Sequence, residues 1–551
     1  MNYIGTRAAR AMTIDGSEII SLARTTAPLT MTIWRVWLPV FIVLGSWGYY
    51  LAYFNYGLTM NDEGFLLENA MRVLVGQLPL HDFYGYPPLR YFYLSGWFEL
   101  FGQSLLIERM ALLFIRVLTP LLMFLLARRI LSIKAALVPT VMVALVAGPW
   151  EKTFDTFLPI LNAFLLVRYF SRPTWQRSIV SGIAIGLAVF IKQDLGVAMF
   201  IVETLVLWVF SDGKGELDVR RIFSVTFDRV RRIGIYFGAV AVGLAPVLVV
   251  YTSAGVLANL LTGLLTPVSV EQTFASSFFQ PLMQFSLQHP RAALEAFLVY
   301  LSLVILVSFP IVLLLRWRRE GVGSPVLASI WLVACVAYPI TFLIPYFSRL
   351  TQTGPLCYLL GTIEAVWFIQ WAATKFDRRT NWARLAPTVL TVFLLLIPLA
   401  FIAFALADNN MYIGSIAIRL NRTTRLQNSI APIFDSPPAA NATDEMTEYV
   451  VRHTASGQYI FASFDHGFYF LTQRQNPTGV YFLPQWLAER PASQEQFLQD
   501  LAKNPPQVLI RRTDELEHPN LDSQWWDIYV TEHYALKFQN AQYVLYEPME
   551  K

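Results

Sequence analysis

Residues 61–94, NDEGFLLENAMRVLVGQLPLHDFYGYPPLRYFYL, decide how this chain is read. They follow an apolar run, residues 36–54, that is long enough to span a bilayer. Asn61 is a good N-cap, so Asp62 and Glu63 fall in the first turn of a predicted helix, where the helix dipole favours negative charge. Leu66, Ala70, Val73 and Leu74 lie on one face of that helix, with Leu67 and Met71 beside it, and Gly76 ends it. Such a helix is expected to lie along the membrane interface. Pro87 and Pro88 open a second segment, whose Tyr91, Phe92, Tyr93, Trp97 and Phe98 suit the headgroup layer.

The rest of the chain explains why a carboxylate-rich loop matters. Of its 551 residues 55% are hydrophobic, and the mean hydropathy is +0.46, a composition that soluble domains do not sustain. The net charge of +4 is too small to point to nucleic acid, which is not an expected partner. Cys335 and Cys357 both sit in apolar runs, which argues against a disulfide framework and a thiolate zinc site. The six histidines are scattered without ligand spacing. Roughly 30 polar or mixed residues precede the first apolar run, so residues 34–54 read as an uncleaved signal anchor rather than a signal peptide.

Eleven candidate spans follow from hydropathy: about 34–54, 105–127, 135–150, 156–171, 178–194, 196–211, 234–252, 293–315, 325–345, 354–372 and 385–407. With a cytoplasmic N-terminus, Lys and Arg concentrate in the inside loops, among them Arg128, Arg129 and Lys134, then Arg316, Arg318 and Arg319. The alternate loops carry far fewer, as the positive-inside rule requires. An odd number of spans puts the C-terminus outside. Composition turns polar after about residue 408 and predicts a small α/β domain: helices over 444–454 and 493–504, strands over 459–463, 505–512 and 541–547, and a loop around Asp435-Ser436-Pro437-Pro438. The expected organisation is a cytoplasmic segment 1–33, a transmembrane domain 34–407 with a first exoplasmic loop 55–104, and an exoplasmic α/β domain 408–551.

Three phrases of the first loop carry a family resemblance: the acidic pair Asp62-Glu63, the helix end Val73-Leu74-Val75-Gly76-Gln77-Leu78-Pro79, and the aromatic Tyr86-Pro87-Pro88-Leu89. Together with the span layout and the outside tail, they resemble the GT-C superfamily of membrane glycosyltransferases that use polyprenyl-phosphate sugars, the protein O-mannosyltransferase and aminoarabinose-transferase type. The resemblance implies a GT-C-like fold in a bacterial cytoplasmic (inner) membrane and a polyprenyl-phosphate sugar as donor. It also implies an exoplasmic glycan, lipid or protein acceptor and transfer with inversion. By it, Asp62 is the catalytic base and Glu63 a second catalytic acid that helps position base or acceptor. A hydroxyl is a weak nucleophile, and a carboxylate within hydrogen-bond reach can take its proton as attack proceeds. Read without the resemblance, both acids simply complete a helix cap.

Asp82, in the turn before Pro87, is a candidate for binding sugar hydroxyls, or else caps its own loop. Some relatives by resemblance carry a donor-contacting Lys immediately before the Pro-Pro pair. Here Tyr86 stands there, with Arg90 a helical turn beyond as a substitute cation. A lipid-phosphate leaving group needs fixed positive charge. Lys192 in GLAVFIKQDLG (186–196) and Arg349 in IPYFSRLTQTGP (344–355) are the expected contacts, against the alternatives of snorkelling or, for Lys192, pairing with Asp194. The charged turn WEKTFDTF (150–157) reads first as an ordinary solvated hairpin, with the alternative that Glu151, Lys152 and Asp155 approach the same cavity, and Glu203 and Glu364, inside apolar runs, as acids that could pair with a cation on another helix. Asp465-His466 is a polar pair with no triad around it. No ligand set demands a metal, although a divalent metal stays open because relatives by resemblance differ in their dependence on one. A transporter or flippase of polyprenyl-linked sugars is the alternative function. It lacks the expected internal symmetry and gives the acidic loop no role.

Overall fold

The computed structural model describes residues 29–210, 226–265, 290–320, 324–339, 347–375, 381–407, 415–480, 487, 491–517 and 524–549. Its helical part opens with α1 (Leu29–Leu51), α2 (Asp62–Leu74), α3 (Leu89–Phe101), α4 (Leu105–Ala127), α5 (Ile133–Leu145), α6 (Thr153–Ser171), α7 (Trp175–Ile191) and α8 (Gln193–Val209). It continues with α9 (Phe227–Ser253), α10 (Leu257–Leu265), α11 (Pro290–Glu320), α12 (Pro325–Ala337), α13 (Phe347–Thr353), α14 (Pro355–Lys375) and α15 (Asn381–Ala407). Each apolar run singled out in the sequence overlaps one of these helices. Among the described residues, three stretches, Leu105–Ala127, Phe227–Ser253 and Arg291–Arg318, are long and apolar enough by length and composition to cross a membrane, fewer than the eleven crossings expected. Leu118, Val249 and Val307 on these helices stay exposed on the outer surface, the all-round apolarity of helices solvated by lipid. Gln272, Phe274, Phe278, Phe279 and Gln280, in the stretch 253–292 that the sequence suggests as an outside loop able to cover a lipid donor or admit an acceptor, lie outside the described residues.

Helices α7 and α9 meet backbone to backbone. A methyl group on Gly182 would lie 2.7 Å from the Tyr236 carbonyl oxygen, and one on Gly186 would lie 2.8 Å from Gly243 Cα. Small residues four apart let apolar helices approach closely, where packing rather than water exclusion holds them. Glu203 on α8 sits in the same region and accepts from Asn162 Nδ2 at 2.6 Å and Ser181 Oγ at 2.7 Å, while Glu364 accepts from Ser308 Oγ at 2.9 Å. The cation partners expected for these two acids are thus replaced by amide and hydroxyl donors from neighbouring helices.

The C-terminal unit contains α16 (Ile416–Asn421), β1 (Thr424–Arg425), β2 (Phe434–Asp435), α17 (Pro437–His453), β3 (Ile460–Ala462), α18 (Gly467–Thr472), α19 (Pro491–Lys503), β4 (Val508–Arg512), α20 (Thr513–Glu517), α21 (Gln524–His533), β5 (Tyr534–Gln539) and β6 (Tyr543–Pro548). Four strands form one sheet in the order β3-β4-β6-β5, with β3 parallel to β4 and the remaining pairs antiparallel. The predicted helices and strands of the tail all appear. The predicted loop at 435–438 is shorter than expected, because Pro437 and Pro438 occupy the first turn of α17, where a missing N–H costs nothing.

This unit does not hang free. Phe434 on β2 donates its N–H to Asn55 O at 2.7 Å and accepts from Gly57 N at 2.8 Å. Leu66, Leu67 and Ala70 on α2 and Leu94 on α3 belong to one buried apolar cluster with Ile460, Phe468 and Leu545. Two expectations for α2 are therefore corrected. The helix does not lie on the membrane surface, since every residue from Glu63 to Ala70 is buried between α3 and the C-terminal unit. Asn61 is itself helical and makes no side-chain cap, and the N–H groups of Glu63 and Gly64 go instead to Thr59 O at 3.1 and 3.0 Å. Gly76 follows the helix with φ +86°, the backbone conformation for which a glycine was expected there.

Candidate active site

Asp62 and Glu63 are neighbours in sequence and opposites in environment. Glu63 is buried and grips Arg109 of α4 with both oxygens, Nε to Oε1 at 2.8 Å and Nη2 to Oε2 at 2.9 Å. Arg109 also donates to the carbonyls of Phe54 at 2.9 Å and Tyr56 at 3.1 Å, and to that of Gly57. Glu63 is thus spent on tying the end of the first loop segment to α4. Asp62, one helical step away, points elsewhere: its side chain is 43% exposed, and Oδ2 lies 3.1 Å from Lys152 Nζ. The Lys152 ammonium, aided by the charges of Arg349 and His466, holds the Asp62 carboxyl below the usual carboxylate range.

Lys152 ends a 3₁₀ turn, Trp150–Lys152, between α5 and α6. The expected solvated hairpin is wrong here: Trp150, Glu151, Lys152 and Asp155 are all buried. Arg116 of α4 pins the turn, donating to Ala147 O at 2.7 Å and to Pro149 O, with its guanidinium 5.0 Å from the Trp150 ring centre. Arg109 and Arg116 are seven residues, about two helical turns, apart, so they share one face of α4. One holds the helix start that carries Asp62 and the other holds the turn that carries Lys152. Burial pushes the Glu151 carboxyl up to about 7, and Asp62 and Glu63 add to that against the opposing charge of Lys152. Lys152 itself is raised, since Tyr86, Asp62 and Glu151 outweigh its burial.

A second group of charges adjoins the first through Tyr86. The Tyr86 ring centre lies 4.4 Å from the Arg90 guanidinium and 5.9 Å from Lys152 Nζ. Arg90 is buried, donates Nε to Ile191 O at 3.0 Å, and brings Nη2 to 3.7 Å from Asp155 Oδ1. Lys192 reaches the other oxygen of Asp155 at 3.8 Å and Asp194 at 3.6 Å. Arg90 Nη2 and Asp155 Oδ1 are both buried without a hydrogen-bond partner. Arg349, on α13, lies 3.5 Å from Gln352 Oε1 and close enough to Asp62 for its charge to act there. Arrangements of this kind concentrate positive charge around one ionised carboxylate.

Asp82 takes no part in either group. Its carboxylate accepts from Leu78 N at 2.7 Å and so closes its own turn. It lines a polar cleft of about 570 Å³ on another side of α2, together with Arg72, Tyr469, Asn476 and Lys503. Among the described residues, no three His, Cys, Asp or Glu converge as a metal site would require, and no step below is routed through a metal.

Sequence reading ranked Lys152 and Asp155 behind a solvated hairpin and missed Arg109 and Arg116. The signal for the two arginines was present: an apolar span, residues 105–127, that carries ionised side chains is unusual enough to suggest a functional or organising role. No protein-family model matches the chain and no curated relative matches it. Among solved structures, the chain resembles ArnT from Cupriavidus metallidurans in the apo state, with a TM-score of 0.54 and 14% identity over 94% of this chain and 98% of that one. It also resembles ArnT from the same organism bound to undecaprenyl phosphate, with a TM-score of 0.51 and 15% identity over the same shares of the two chains. At such identity the likeness is one of fold alone.

Proposed function

We propose that this protein is a membrane glycosyltransferase that moves a sugar from a polyprenyl-phosphate donor to a hydroxyl acceptor at the outer face of the membrane. The observation that carries the reading is Asp62, an accessible, ionised carboxylate at a helix start, 3.1 Å from a buried lysine and flanked by further cations. The undecaprenyl phosphate bound to the similar ArnT supports a lipid-phosphate ligand.

In this reading the acceptor O–H gives its proton to Asp62 as its oxygen attacks the anomeric carbon. The bond between that carbon and the donor phosphate oxygen breaks, and the lipid phosphate leaves with the bonding pair, so the anomeric configuration inverts. Lys152, Arg90, Lys192 and Arg349 are the cations available to the phosphate, with Tyr86 between the first two. A phosphate that draws Lys152 away from Asp62 also raises the basicity of Asp62, so donor binding prepares the base. Glu63 positions the base through Arg109 rather than touching substrate. Eleven crossings, with the N-terminus inside and the C-terminal unit outside, complete the proposal.

The test is transfer from a panel of labelled undecaprenyl-phosphate sugars to membrane lipid and glycan extracts, with wild type and Asp62→Asn compared at equal expression. Loss of transfer in the variant, with undecaprenyl phosphate binding retained, is the expected result. Transfer that persists in Asp62→Asn removes Asp62 as base.

A further inference from the structure

The C-terminal unit reaches the helix of Asp62 at two places, one on each side of that residue. Gly467 donates its N–H to Met60 O at 2.8 Å, just before Asp62. Just after it, Gly64 lies against the same backbone: a methyl group on Gly64 would overlap the Gly467 nitrogen and come within 2.7 Å of Gly467 Cα. Only a glycine at position 64 permits this approach.

The residue before Gly467 is His466, which is buried. Its Nδ1 meets Glu68 Oε2, on α2 and two turns beyond Asp62. The other Glu68 oxygen accepts from Asn476 Nδ2 of the C-terminal unit at 2.8 Å and lies 3.6 Å from Arg72 Nη1. The imidazole packs edge-on to Phe65, with ring centres 4.9 Å apart, and Phe65 in turn packs against Tyr86 at 6.0 Å. Asp465, beside His466, is engaged elsewhere, with both its oxygens held by Arg512 at 2.7 and 2.6 Å. Burial pushes the Glu68 carboxyl up, yet the charge and hydrogen bond of His466, with Arg72 and Asn476, carry it below the usual carboxylate range.

We propose that His466, supplied by the C-terminal unit and locked onto Glu68, is a positioning residue for Asp62, so that sugar transfer requires the C-terminal unit docked on α2. The inference rests on Asp62 as base and adds where that base gets its orientation. A small displacement of a catalytic group is enough to matter, since misplacement by about 1 Å can cost roughly 100-fold in rate.

The test compares Glu68→Gln, His466→Gln and the double variant in the full-length protein. Each single variant leaves one member of a buried pair without its partner, whereas the double variant restores a neutral amide pair. The expected result is a fall in kcat of about 100-fold for each single variant at unchanged donor KM, with most of the loss recovered in the double. Hydrogen exchange of the peptide spanning residues 60–70 follows the same pattern, faster in the singles and slow again in the double. This second readout needs no substrate and covers a variant of low activity. Single variants with wild-type kcat and exchange, or a double variant as impaired as the two losses multiplied, overturn the proposal. Asp62→Asn runs alongside: if it keeps turnover, the reading of Asp62 fails, whereas a dead Asp62→Asn beside a fully active His466→Gln defeats only the present inference.

Discussion

Replacing Glu63 by Gln separates the two acids of the first loop. The change keeps the shape and removes the charge that faces Arg109. Two charge-assisted bonds of 2.8 and 2.9 Å lose their ionic partner, in a place where Glu63 is 2% exposed and Arg109 is fully buried. Breaking a buried pair from one side costs about 3–5 kcal/mol, mostly because the remaining charge is left uncompensated. Arg109 keeps its bonds to the Phe54, Tyr56 and Gly57 carbonyls, so the guanidinium stays in place and cannot escape to solvent. At roughly 1 °C per kcal/mol for a chain of this length, the unfolding midpoint should fall by about 3–4 °C in detergent. The assay is thermal unfolding of purified Glu63→Gln and Asp62→Asn, with turnover measured well below either midpoint. Asp62→Asn should be inactive and lose less stability than Glu63→Gln, because the Asp62 side of its pair with the buried Lys152 is 43% exposed and screened by solvent. A Glu63→Gln protein with a wild-type midpoint and no turnover would refute the reasoning, since it would make Glu63 a participant in the chemistry.

Other outcomes follow from the same geometry. Lys152→Met removes the main charge that depresses the Asp62 carboxyl, so the acid limb of the turnover profile should move to higher pH while kcat falls about 100- to 1,000-fold; an unmoved limb would detach Lys152 from Asp62. Glu151 is raised from 4.5 to about 7, so it favours the folded state fully below about pH 4.5 and that contribution is lost as pH rises towards 7. Glu151→Gln should therefore flatten stability between those limits and leave the protein roughly 3 kcal/mol more stable above pH 7, read by denaturation at pH 5 and pH 8. Arg116→Met frees the turn that carries Lys152, and faster hydrogen exchange over residues 147–153 with a loss of turnover is the expected pair of results. Gly64→Ala should lower the unfolding midpoint and loosen the C-terminal unit to limited proteolysis, because its methyl group has only backbone to meet.

The sequence revealed most of the fold and about half of the site, for a physical reason. Apolar runs and period-two strands are local signals, so the long apolar helices and β3, β4 and β6 could be read directly, whereas α10, α13, α16, α18, α20 and α21 were not. Strand β5 could not, because it forms the sheet edge and leaves Leu536 exposed, which spoils the alternation. The acidic pair and the cations Arg90, Lys192 and Arg349 announced themselves by type and position. Their division of labour did not, because nothing local distinguishes Asp62 from Glu63. The distinction comes from Arg109, 46 positions away. Lys152 was misread for the same reason: WEKTF looks solvated until Arg116 and Trp150 fold over it. His466 stood out only as a lone polar residue, since its partner Glu68 is 398 positions away.

A single helix explains why these distant pieces meet. Between Arg109 and Arg116, ahead of Pro120, α4 is unbroken helix, and a bilayer leaves its backbone no alternative to internal hydrogen bonds. Its two buried arginines sit about 10 Å apart along the axis, at 1.5 Å per residue. Each is held by loop carbonyls, so the outer loops take their places relative to α4 and not to each other. The spacing between Asp62 and Lys152 then follows from a helix that cannot stretch. The C-terminal unit adds the remaining constraint from outside, closing on α2 through Gly467 and His466. A base presented by a loop gains its accuracy only if something rigid stands behind it. Here the support comes from α4 on the membrane side and from the C-terminal sheet unit on the other, and neither alone fixes both ends of α2.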